Sequence, residues 1–203
     1  MATLLYIKAN PKTNQDSRTF RISETFIDSY RKKNPGDQII IRDLYEENVQ
    51  PLTAEQLQER FNAMDEESIK KHPVYKYALE FKNADKIVIA APMWNLGFPA
   101  ILKCYLDYIM AVGITFKYTE NGPVGLCEGG KKVVHIVTRG GVYSEGPAAA
   151  YEMGDKYLRV VFGFLGIYDF TTIAAEMLDV IGTDVEGIMA NALKDAEDTA
   201  NNF

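Results

Sequence analysis

Lys86-Ile87-Val88-Ile89-Ala90-Ala91-Pro92-Met93-Trp94-Asn95-Leu96-Gly97-Phe98-Pro99 is the stretch that decides the fold of this 203-residue chain. Its first six residues form an unbroken apolar, β-branched run. Such a run reads as a strand buried on both faces of a parallel sheet. It stops at Pro92, and a helical spacing of Phe98, Ile101, Leu102, Tyr105 and Ile109 follows at once. The chain's only Trp therefore falls at the carboxyl end of a parallel strand, where open α/β sheets bind ligands. Large apolar side chains flank Asn95 and Gly97 there. The loop can offer backbone amides and a flat apolar surface to a planar ring.

The same alternation runs outward in both directions. Leu4-Leu5-Tyr6-Ile7 is a first strand. Ser17 to Lys33 is helical, with Phe20, Ser23, Phe26, Ile27 and Tyr30 on one face. Asn34-Pro35-Gly36-Asp37 ends it, and Gln38 to Arg42 is a second strand. Thr53 opens a polar helix with Gln56 at capping-box spacing and Leu57, Phe61 and Met64 on one stripe. The acidic region from Glu46 to Asn83 is read as two helices broken near His72-Pro73. Lys132 to Thr138 is a fourth strand. A helix is expected from about Ala148 to Leu165, carrying Tyr151, Leu158, Val161, Phe162 and Leu165. Tyr168 to Ala174 is a fifth strand. Gly182 to Glu186 starts a last helix, with Asp184 and Glu186 as first-turn charges. Five strands with intervening helices imply an α/β fold: an open, twisted five-stranded parallel sheet with helices on both faces. The expected order is 2-1-3-4-5 in a single domain over residues 1–203, with a cleft beside strands one and three.

Composition narrows the class. Apolar residues make up 47% of the chain, enough for a full core. Twenty-eight acidic against 22 basic residues leave a formal charge of -6, which argues against nucleic acid as the main partner. Cys104 and Cys127 make neither a metal pattern nor a dithiol motif. No run has the length of a membrane helix, and Met1 to Ile7 lacks the features of a secretory signal. These features read as a cytoplasmic protein with no metal and no membrane partner.

Three loops converge on the expected cleft. The first is Asn10 to Thr19, which opens straight into a helix. It has no glycine, so it is neither a P-loop nor a dinucleotide fingerprint. Ser17, Thr19 and the free amides of the helix start can hold a phosphate, and Arg18 can add charge. The same residues read equally as a helix cap. The second loop is Pro92 to Phe98, and its plain reading is a tight turn with Trp94 covering the core. The third is Thr138 to Pro147, where Gly140 and Gly141 let the backbone approach a ligand and Tyr143 lies nearest. Each loop follows a strand, and the three strands are expected to be neighbours. A phosphate anchor, an aromatic wall and a glycine wall suit a mononucleotide with a flat ring, such as FMN. His135 reads as a packed core residue and His72 as a solvated one. Lys12 reads equally as a surface charge or as a guide for nucleotide phosphates.

Pro92-Met93-Trp94-Asn95, Thr115 to Pro123 and Thr138-Arg139-Gly140-Gly141 together resemble the FMN-dependent NADH azoreductases, flavodoxin-like oxidoreductases that also reduce quinones. The resemblance covers nearly the whole chain. It implies a flavodoxin-like fold and FMN bound where the three loops meet. Asn10, Ser17, Arg18 and Thr19 match the phosphate and ribityl positions. Pro92, Met93, Trp94, Asn95 and Leu96 match the segment along the isoalloxazine. Thr138, Arg139, Gly140 and Gly141, with Tyr143, match the wall at the pyrimidine end. Tyr118, Phe164 and Leu96 match the substrate face. The chain has Asn10 where the family often has Ser, and Trp94 and Leu96 where it has Tyr or Phe.

The resemblance further implies a homodimer with each FMN near the subunit interface. NADH would reduce FMN at N5, and a quinone or azo compound would then be reduced in its place. Full azo cleavage takes two such cycles. FMN carries the chemistry, so no side chain is assigned as catalytic. Two other classes share the scaffold: a flavodoxin-type electron carrier serving a protein partner, and a flavin-free binding domain.

Overall fold

The computed structural model describes residues 1–60 and 66–203. In chain order the elements are β1 (Thr3–Lys8), α1 (Arg18–Lys33), β2 (Gln38–Asp43), α2 (Ala54–Glu59), α3 (Glu66–Lys71), α4 (Lys76–Asn83) and β3 (Lys86–Ala90). They continue with α5 (Ala100–Ile109), β4 (Phe116–Thr119), β5 (Gly122–Gly125), β6 (Lys132–Thr138), α6 (Gly154–Phe164), β7 (Asp169–Ala175) and α7 (Val185–Asn202). Short 3-10 turns at Pro73–Tyr75 and Pro147–Tyr151 complete the path.

The main sheet has the order β2-β1-β3-β6-β7, and every pairing in it is parallel. Counted within that sheet alone, the order is the expected 2-1-3-4-5. Ile7 lies opposite Ile89, and Ile89 opposite His135. Pleating sends alternate residues to two cores. Leu5, Ile7, Ile87, Ile89 and Val133 pack with Phe81, Leu102, Tyr105 and Phe162 of α4, α5 and α6. Leu4, Tyr6, Val88, Ala90, Val134 and Ile136 pack with Phe20 and Phe26 of α1 and with Met189 and Ala196 of α7. Ile87 to Ala91 are fully buried, which is why that run carries no polar residue. Burying each Ile or Val there contributes about 1.5–3 kcal/mol.

Helix ends follow the sequence signals. Ser17 Oγ accepts from Phe20 N at the start of α1, and Arg31, Lys32 and Lys33 sit at its negative end. The Thr53–Gln56 capping box forms in both directions. The acidic region breaks at His72, but into more pieces than expected: α2, α3, a 3-10 turn and α4. His72 is half-buried and caps the 3-10 turn through Nδ1, so it is not simply solvated. Leu57 lies on α2, whereas Phe61 and Met64 fall outside the described residues. The guanidinium of Arg60 donates to the carbonyls of Asp107 (2.9 Å) and Met110, which closes the end of α5.

Three further expectations change. The helix after β3 starts at Ala100 rather than at Phe98, because Pro92 to Pro99 is used for a turn described below. The expected helix from Ala148 is split into a 3-10 turn and α6, and Tyr151 is exposed instead of buried. The split has a local cause: the Glu152 carboxylate turns back to accept from Asp155 N (2.8 Å) and Lys156 N (3.3 Å). Finally, the stretch from Thr115 to Pro123 opens an antiparallel hairpin, β4–β5, that runs on to Gly125 outside the main sheet. Its turn signal, Asn121-Gly122, is present in the sequence. None of the helices in the described residues is long and apolar enough to cross a membrane.

Candidate functional site

A cleft of about 430 Å³ opens at the carboxyl ends of β1, β3 and β6. Its first wall is the loop after β1. Asn10 Nδ2 donates to Ser17 Oγ (3.0 Å), and Asn10 Oδ1 accepts from Lys12 N (3.1 Å). This crosslink lets the loop turn without glycine. Beneath it, Lys8 Nζ donates to Asn14 Oδ1 (2.7 Å) and lies over the Phe20 ring. At the start of α1 the amides of Arg18 and Thr19 have no acceptor within the helix, and they point toward the positive end of its dipole. That arrangement binds anions.

The second wall is the loop after β3. Trp94 and Gly97 exchange both backbone hydrogen bonds at 3.0 Å. Asn95 and Leu96 between them have φ of 49° and 70°. Positive φ at both central residues defines a type I′ turn. Met93 N donates to Thr138 O (2.9 Å), which ties this turn to β6. Leu96 O accepts from Met153 N (2.9 Å), which ties it to the start of α6. Gly154 makes that approach possible: a Cβ there would lie 3.3 Å from the Gly97 backbone.

The third wall is the loop after β6. Thr138 Oγ1 lies 2.6 Å from Thr19 Oγ1, which joins the third wall to the first. The amides of Gly140 and Gly141 meet no acceptor among the described residues. The Arg139 side chain is only 3% exposed. Its Nη1 donates to Glu176 Oε1 (2.9 Å) and Ser144 Oγ (3.0 Å), and Nη2 reaches Glu152 Oε1 (3.3 Å). Two carboxylates thus enclose one guanidinium, and Arg139 braces the glycine loop and α6 instead of presenting free charge. Burial works to raise the pKa of Glu176. Hydrogen bonds from Arg139, Tyr143 N and Ser144 outweigh it and hold that carboxyl below its usual range.

His135 is buried behind this wall, its Nδ1 2.9 Å from Asp155 Oδ1. Burial opposes ionisation of Asp155, but hydrogen bonds with His135, Thr172 and Arg159 keep its carboxyl well below the usual range. The pair links β6, β7 and α6, as expected of a core histidine.

A fourth wall was not legible as a motif. The loop after β7 is zipped to the glycine loop by Met177 N to Gly141 O (3.2 Å), Leu178 N to Arg139 O (3.2 Å) and Asp179 N to Gly140 O (3.1 Å). Arg18 Nη1 crosses the cleft mouth to Leu178 O and Asp179 Oδ1, both at 3.0 Å. Lys12 and Asp16 also face the cleft. The available signal was position: this loop too follows a sheet strand at its carboxyl end.

Of the residues singled out from the sequence, Asn10, Ser17, Arg18, Thr19, Pro92, Met93, Trp94, Thr138, Arg139 and Gly140 line the cleft. Asn95, Leu96, Gly141 and Tyr143 belong to its loops but do not line it. A Cβ at Gly141 would face the Tyr143 ring at 3.3 Å. Tyr118 and Phe164 lie apart from the cleft lining and gather on Phe116, with ring centroids 5.6 and 5.1 Å from it. A larger cavity of about 950 Å³ touches Thr3 and Gln38, at the amino ends of β1 and β2. Parallel sheets place their ligands at the other end.

Residues 2–200 match a family described as having a flavodoxin-like fold. The chain is 59% identical, over the full length of both, to the FMN-dependent NADH:quinone oxidoreductase 2 of Clostridium acetobutylicum. It is 56% identical, again over both full lengths, to the FMN-dependent NADH:quinone oxidoreductase of Caldicellulosiruptor saccharolyticus. Among solved structures it is similar to an FMN-dependent NADH-azoreductase from Bacillus anthracis in complex with FMN. That match has a TM-score of 0.88 and 31% identity, and covers 100% of this chain and 99% of the other. A cleft walled by these loops, identity above one half and end-to-end coverage place this chain in the flavodoxin-like family of FMN-dependent NADH:quinone oxidoreductases and azoreductases.

Proposed function

We propose that residues 1–203 form a single FMN-binding domain that uses NADH to reduce quinones and azo compounds. One observation carries the reading: Ser17, Trp94 and Gly140, from three separate loops, line the same cleft. The names of the relatives point the same way. The residues fit FMN. Donors without acceptors sit at the start of α1 and at Gly140 and Gly141, and the apolar side chains of Pro92, Met93 and Trp94 line the same cleft.

In this reading Asn10, Ser17, Arg18 and Thr19 bind the phosphate and ribityl chain. Met93, Trp94, Asn95 and Leu96 run along the isoalloxazine. The Gly140 and Gly141 amides favour negative charge at the pyrimidine end, as preorganised donors do. Arg139 acts there through its bracing of the loop, and Tyr143 and Pro92 complete the wall. When bound, FMN would supply the redox chemistry, ping-pong hydride transfer from NADH to a quinone or azo bond, with two cycles for full azo cleavage. No side chain is required as a base, and water supplies protons.

The partner is a second copy of this chain. Met153, Tyr157, Val160 and Phe164 form an exposed apolar stripe along α6, and Tyr168 and Tyr118 extend it. Patches of that kind mark interaction sites. The stripe starts at the turn carrying Leu96 and ends at the hairpin. A copy seated on it brings Tyr118 and Phe164 to the other protomer's substrate face. The free thiols of Cys104 and Cys127 suit the reducing cytoplasm.

Stopped-flow mixing of the FMN-loaded protein with NADH tests the function. Rapid bleaching of the flavin, followed by reoxidation with a quinone, is expected. Slow reduction by NADH would favour the electron carrier, and a protein that takes up no FMN would end the enzyme reading.

A further inference from the structure

Asp179 places a carboxylate at the mouth of a cleft whose proposed ligand carries a phosphate, and the surrounding contacts show that this position is specified. Three backbone hydrogen bonds fix residues 177–179 on the glycine loop. Met177 accepts φ of 61° to make the path. Gly140 leaves the room, since a Cβ there would lie 2.8 Å from Asp179 Oδ2. The result is the pairing of Asp179 Oδ1 with Arg18 Nη1 at 3.0 Å.

The cations around the cleft are then all matched by carboxylates, with no positive charge in excess. Lys12 and Arg18 are matched by Asp16 and Asp179, and Arg139 is enclosed by Glu152 and Glu176. Asp16 is engaged within its own loop, accepting from Thr13 Oγ1 (2.7 Å). Asp179 is the acid that holds the Arg18 guanidinium. Both partners are open to solvent, 43% exposed for Arg18 and 74% for Asp179, so the pair can part at little cost.

Resting on the FMN reading above, we infer that Asp179 competes with the cofactor's phosphate for Arg18 and thereby limits the preference of the cleft for a phosphorylated flavin over an unphosphorylated one. A phosphate bound at the start of α1 draws Arg18 away from Asp179 and meets repulsion from the carboxylate left behind. Both costs vanish for riboflavin, which shares the ring and ribityl chain and lacks the phosphate.

Flavin-fluorescence titration of the flavin-stripped full chain with FMN and with riboflavin tests this in the wild type, Asp179→Asn and Arg18→Ala. Asp179→Asn should tighten FMN about three- to fivefold, the upper scale of one exposed ion pair. Riboflavin binding should stay within about twofold and so report an intact cleft. Arg18→Ala should weaken FMN and spare riboflavin. An unchanged or lowered preference for FMN in Asp179→Asn would overturn the inference while leaving the FMN reading intact. Failure of the wild type to bind either flavin would instead remove the FMN reading itself, and the inference with it.

Discussion

Leu96 holds φ at 70° although it carries a branched side chain. Left-handed backbone costs such a residue about 1–2 kcal/mol. A type I′ turn prefers Asn-Gly at its centre, and here the pair is Asn95-Leu96. Strain kept at a cleft rim suggests that the half-open side chain is retained for contact with substrate. Leu96→Gly should therefore raise stability in denaturant unfolding by about 0.5–1 kcal/mol, net of the entropy glycine adds to the unfolded chain. It should also raise KM for quinones. A loss of stability would show that packing of the Leu96 side chain outweighs the backbone strain. Arg139 teaches a second lesson at this scale. Its place in the Thr138-Arg139-Gly140-Gly141 motif was legible, but its task was not. Glu152 and Glu176, far away in sequence, decide that the guanidinium serves as a brace.

Among the elements, the buried strands were the most legible. β6 has the expected bounds, and β1, β2, β3 and β7 are within a residue of theirs at both ends. A strand covered on both faces is almost wholly apolar, with an exception such as His135 held by a carboxylate partner, so its signal is local and strong. The hairpin was harder, with four residues per strand and Lys117, Tyr118 and Val124 exposed. Its seat on α6 depends on Gly125, where a Cβ would fall 2.1 Å from the Leu165 carbonyl carbon. Gly125→Ala should lift the hairpin and cost about 1–3 kcal/mol, the usual penalty of overpacking. Cys127 offers the readout. Burial pushes its thiol up to about 11, which keeps it protonated and inert. Thiol labelling at neutral pH should accelerate in Gly125→Ala, and labelling at the wild-type rate would show that the hairpin remains seated.

At the scale of the whole molecule, the apolar stripe on α6 is the surface most in need of a partner. Val160 is 72% exposed at its centre. Val160→Asp should convert a dimer to a monomer in sedimentation analysis, because an unpaired carboxylate resists burial. The variant should keep FMN, because the proposed cleft is lined by residues of one chain, and lose most quinone turnover, because the proposed dimer brings Tyr118 and Phe164 to the other site. A Val160→Asp protein that still sediments as a dimer would place the interface elsewhere.

The sequence by itself determined the parallel sheet, the order of its strands and the three loops that meet at one cleft. Those features come from periodicity and from the switch-point geometry of doubly wound sheets, both of which are read from neighbouring residues. Tertiary structure alone decided the enclosed charge of Arg139 and the fourth wall at Asp179. Arg18 and Asp179 are 161 positions apart, and no local pattern reports a contact of that separation. Such pairs exist only once α1 and the loop after β7 have been packed against the same sheet.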